Sequence, residues 1–150
     1  MEKLQPTMAQ QIATAANAFQ MNLTGHVSNV VTVVLSGDTL VVTLHEALTP
    51  AEKALAKVPG GAAQVQEFHR QLFATSSETL RKEISRITGV EVRESIAEVE
   101  PTTGTVVHAF TNGTMVQVFL LAQSISADDW KGSGPGVDVK EKQNEVEPVS

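Results

Sequence analysis

The sequence predicts an α+β fold: two helix-plus-β-hairpin halves forming a two-layer sandwich, with an antiparallel or mixed sheet of four to five strands and helices mainly on one face. Three observations point there. Apolar residues recur at spacings of three and four from Met8 to Leu23 and again from Val65 to Ile87, the period of one helical face. Runs rich in β-branched residues follow each helical stretch and are separated by turn residues. Leu23-Thr24-Gly25 and Ile87-Thr88-Gly89 each end a helix and lead into strands, so the second half of the chain echoes the first.

In order, residues 7–23 place Met8, Ile12, Ala15, Ala16, Phe19 and Leu23 on one face, with Gln10, Gln11, Asn17 and Gln20 filling much of the remainder. Gly25 stands where a left-handed C-cap belongs. Residues 28–35 and 39–44 read as strands joined by Ser36-Gly37-Asp38. Val30, Val31, Val33 and Val34 break strict alternation, which predicts cover on both faces, by helices on one side and a partner subunit on the other.

Leu48-Thr49-Pro50-Ala51-Glu52-Lys53 opens the central helical segment. Thr49 is the N-cap, Pro50 occupies the first position where no donor is needed, and Glu52 reaches back to the Thr49 amide. Val58-Pro59-Gly60-Gly61 interrupts this segment after Lys57. A longer helix follows over residues 62–88, with a kink or a fresh cap expected at Thr75-Ser76-Ser77-Glu78. Strands are predicted over 90–99, 105–110 and 115–122, the last two joined through Asn112-Gly113. Residues 1–123 therefore read as a single domain, and 124–150 as a disordered acidic tail in which Trp130 is the exception.

Composition narrows the function classes. A chain of 150 residues with 41% apolar content supports one core. Five Phe, one Trp and no Tyr leave few platforms for stacking bases, and a net charge of −6 opposes phosphate-backbone binding, so no nucleic-acid partner is expected. The absence of cysteine removes disulfides, thiolate metal sites and thiol nucleophiles. Met1-Glu2-Lys3-Leu4-Gln5-Pro6 lacks the apolar run of a signal peptide, and no apolar stretch approaches the roughly 20 residues of a transmembrane helix. A cytoplasmic location is expected.

The search for chemistry yields candidates without a catalytic constellation. His26, His45, His69 and His108 never pair at helical metal-ligand spacing. Arg70, His45 and His108 are the candidate residues for binding a small molecule or anion between helices and sheet, and His45 with Glu46 and His108 is the one conceivable histidine cluster. Glu94, Glu98 and Glu100 share a face at strand spacing, with Arg93 opposite, as a solvated face, a cation site or an acid–base pair. Gly60-Gly61 lacks the Lys-Ser/Thr of a phosphate loop, and no serine sits in a nucleophile elbow. Arg70, Arg81, Lys82 and Arg86 lay a basic stripe along the long helix, diluted by Glu67, Glu78 and Glu83. No catalytic residue, metal ligand or cofactor is assigned; Thr49, Pro50 and Glu52 are assigned a structural capping role.

Several of these pieces occur in a fixed order: Leu48-Thr49-Pro50-Ala51-Glu52-Lys53-x-Leu55-Ala56, then Val65 with Arg70 and Leu72, then Leu80, Ile84 and Thr88-Gly89-Val90-x-Val92, then Thr103-Gly104-x-Val106-Val107 and Phe110. Over residues 8–111 this resembles the MpsC-like family of small bacterial proteins, labelled as a component of a sodium-translocating membrane-potential-generating system. The resemblance implies a small accessory protein, in some cases encoded beside membrane proteins of cation-coupled inorganic-carbon uptake, and it carries no agreed active site. Gly25-His26-Val27-Ser28 departs from the family's Gly-basic-Gly-Pro loop, and Glu98 stands in place of an acidic Asp. The expectation is a non-enzymatic accessory or regulatory homodimer docked on a membrane transport system and peripheral to the membrane through that partner. The alternative is a ligand-sensing module.

Overall fold

Thr7 and Gly25 fix the ends of the first helix, α1 (Met8–Thr24). The Thr7 hydroxyl accepts the Gln10 amide, the Gln10 side chain returns the bond to the Thr7 amide, and Gly25 closes the far end at φ 76°. A computed structural model describes residues 5–100 and 113–132. The hairpin strands β1 (Val30–Ser36) and β2 (Thr39–His45) follow, then α2 (Pro50–Ala56), α3 (Gly61–Ser76), α4 (Glu78–Thr88), β3 (Val92–Glu100), β4 (Thr114–Leu121) and α5 (Ala127–Lys131). The architecture is α+β: an open four-stranded sheet, antiparallel throughout, in the order β1-β2-β4-β3, with helices packed against it. The strand expected over 105–110, together with Asn112, lies outside the described residues.

Alternation decides which side chains meet the helices. Val31 and Val33 on β1, Leu40, Val42 and Leu44 on β2, and Met115, Phe119 and Leu121 on β4 are all buried. Phe73 of α3 ties the layers together, its ring lying edge-on to Phe19 of α1 and at an angle to Phe119 of β4. Burying one such ring contributes about 2–3 kcal/mol. Several polar residues are buried with this core, and Gln117 of β4 is the most enclosed of them. Gln117 is fully buried, its Oε1 finds no hydrogen-bond partner, and its Nε2 reaches the soft Met115 sulfur at 3.8 Å.

The long helical segment divides at Ser77. That residue keeps right-handed backbone angles, donates its amide to Phe73 and accepts from Arg81, and its side chain makes no cap bond. The division thus needs no fresh cap; it redirects the chain from α3, packed on β3, to α4, packed on α1. The corner before α3 is made by two glycines with different duties. Gly60 adopts φ 78°, and a Cβ on Gly61 would stand 1.7 Å from the Leu55 carbonyl oxygen.

The chain after β4 differs from its expected reading as a tail from residue 124. Ser126 caps α5 by accepting the Asp129 amide, Trp130 is half-buried against the core, and the Met8 amide donates to the Gly132 carbonyl at 2.8 Å. The packed fold therefore runs through Gly132. The local cause was present in the sequence as a serine cap followed by two aspartates at a helix N-terminus.

Candidate functional site

The central cap does more than start a helix. Thr49 accepts the Glu52 amide, and Glu52 Oε1 accepts the Thr49 amide at 2.9 Å. Its other oxygen, Oε2, lies 2.8 Å from Nε2 of His69, a buried residue of α3. A carboxylate only accepts, so Nε2 carries the proton. Burial pushes the Glu52 carboxyl up, but the bond from His69, the Thr49 amide, the charge of His69 and the Thr49 hydroxyl together hold it below its ordinary value of about 4.5. This triad clamps α2 onto α3 and has the character of a lock.

The proposed ligand residues do not converge. Arg70 sits on the exposed side of α3 and pairs with Glu67 at 3.0 Å. His45 follows Leu44 at the end of β2, and alternation turns it to the face of the sheet away from the helices. His108 lies outside the described residues. Glu94 is exposed on β3; Glu98 and Glu100 pair in register with Val116 and Thr114. The basic stripe is dispersed by use: Arg81 donates to the carbonyls of Val92 and Arg93, while Arg86 pairs with Glu83. His26 donates from Nε2 to the carbonyl of Glu46, whose φ of 54° is the sole positive value at a non-glycine among the described residues. No group of three or more metal-ligating side chains occurs among the described residues.

What the structure does assemble is a groove of about 630 Å³ between α1 and α4. Ala15, Ala18, Phe19 and Leu80 supply apolar lining, while Gln10, Gln11, Thr14, Asn22, Ser76 and Thr79 supply neutral amides and hydroxyls. Arg86 and Glu83 stand in its wall already matched to each other, so the groove offers no free charge to an anion. These positions repeat at spacings of three and four on both helices. Ala15, Phe19 and Leu80 read in the sequence as apolar helical positions, and only the pairing of α1 with α4 makes them part of a groove.

The profile of the family "MpsC: Na+-translocating membrane potential-generating system (MpsC)" matches residues 5–113. The chain belongs to the MpsC family. No curated protein matches it, and no solved structure does. The match takes in α1 to β3, and with them the capping lock and the α1–α4 groove. No helix among the described residues of this MpsC-family chain is long and apolar enough to cross a membrane.

Proposed function

We propose that this MpsC-family chain is a non-enzymatic accessory or regulatory component of a Na+-translocating, membrane-potential-generating system. It self-associates as a homodimer and works from the cytoplasmic side, reaching the membrane by docking on an integral partner. The observation that carries the reading is the family match over residues 5–113. The fate of the titratable side chains supports a non-catalytic role: Glu52 and His69 lock helices, Arg81 and Arg93 bind backbone carbonyls, and Glu83 is matched by Arg86. Crosslinking in native membranes followed by affinity capture tests it. Recovery of an integral membrane protein of the transport system is expected; recovery of the chain alone, from crosslinked membranes and cytosol alike, counts against it.

The α1–α4 groove favours a second reading, ligand sensing, and redirects it. With its one arginine neutralised by Glu83, the groove suits a neutral amphipathic molecule better than an anion. Ala18, exposed on α1 at the groove, is the place to block it. A neutral ligand should raise the melting temperature of the native chain and leave Ala18→Trp unmoved. Equal shifts in both proteins would place the ligand elsewhere.

A further inference from the structure

The helices cover one face of the sheet and leave the other with an unusual surface. Leu40, Val42 and Leu44 point into the core, so Thr39, Val41 and Thr43 point out; on β4 the outward set is Thr114, Val116, Val118 and Leu120, of which Thr43 and Thr114 are already buried at one end of the face and the rest are partly open. Register then aligns one apolar row across all four strands: Val34 opposite Val41, Val41 opposite Val118, and Val118 opposite Ile96. Ile96 is 59% exposed, and Val34, Val41 and Val118 are half-buried. A solvated sheet face normally alternates to polar residues; this one places Val and Leu outside and a glutamine inside on the same strand, β4.

We propose that this face is the interface with a second copy of the chain, the two sheets packing face to face about a twofold axis parallel to the strands. The proposal deepens the self-association in the proposed function and rests on that part of it. Area and charge both argue for a second copy. Four strands about 4.8 Å apart, each with some seven residues at about 3.4 Å, present on the order of 450 Å² per copy in projection. Side-chain relief brings the pair to roughly 1,000 Å² in total, where specific interfaces begin, so a dimer that forms in the micromolar range is expected. A twofold parallel to the strands lays β3 over the partner's uncharged β1, which keeps the two Glu94 carboxylates apart. The reverse choice would set them together. An anionic lipid surface is a poor occupant: β1, β2 and β4 carry no Lys or Arg, and the chain's net charge is −6.

Sedimentation velocity of the full chain from low to high micromolar concentration tests the proposal. The native chain should pass from monomer to dimer. Ile96→Lys, at an exposed position, and Val41→Lys, in the middle of the row, should each weaken dimerisation at least about tenfold. Far-UV circular dichroism of Ile96→Lys should match the native chain. Because Val34 faces the partner's Ile96 in this arrangement, Val34→Glu combined with Ile96→Lys should recover dimers that Ile96→Lys alone loses. A dimer indifferent to both lysine substitutions overturns the interface and leaves self-association standing. A monomer at every concentration overturns both, and co-sedimentation of the native chain with anionic vesicles, abolished by Ile96→Lys, would make the face a membrane surface instead.

Discussion

Glu52 shows how much one side chain is asked to do. It satisfies a helix-start amide with one oxygen and a buried histidine with the other. Thr49→Ala removes one cap bond and should cost about 1 kcal/mol. Glu52→Ala also strands His69, a buried donor without its acceptor, and should cost about 2–3 kcal/mol. Urea denaturation of the two variants separates these cases; equal costs would show that the His69 bond contributes nothing. The pair also sets a pH dependence. Folding holds the Glu52 carboxyl below about 4.5, so its stabilisation is present above that pH and is lost as pH falls through the lower folded value. Melting temperature should fall on acidification below about pH 4.5, and Glu52→Gln should flatten that fall. Gln117 is the converse case, a buried oxygen with no partner. Gln117→Leu should stabilise the fold by about 1 kcal/mol or more, read from the same urea curves, because an unmet acceptor leaves the core and apolar contact replaces it.

At the scale of elements, the ends of helices were legible and their packing was not. Thr49 with Glu52 and the glycines at 25 and 89 act through neighbours a few residues away, so a local reading captures them. The His69 contact to Glu52 spans 17 residues and depends on α2 folding back on α3, which no periodicity reports. For the same reason Arg70 and His45 could be named as polar candidates but not placed; the sheet order β1-β2-β4-β3 and the alternation of β2 put them on opposite sides of the sheet. The groove was hidden for a different cause: neutral side chains on a helix look like solvated surface until a second helix stands beside them. Gly61 is where an element boundary becomes most testable. Gly61→Ala drives a methyl into the Leu55 carbonyl oxygen and should destabilise by about 3 kcal/mol, whereas the neighbouring Ala62→Gly should cost no more than about 1 kcal/mol. Comparable losses at both positions would mean that helix propensity, not close approach, governs the corner.

For the whole molecule, the two faces of the sheet divide the work. The helical face holds the core, the capping lock and the groove, while the outward face carries the apolar row proposed as the dimer interface. In the proposed role the chain acts through contacts with a membrane partner, and the proposed dimer doubles each of them. Membrane potential therefore gives the most direct test. In a strain lacking this chain, a potential-sensitive dye should report a reduced Na+-dependent potential, restored by the native protein. A potential that is unchanged by deletion at every Na+ concentration would contradict the account.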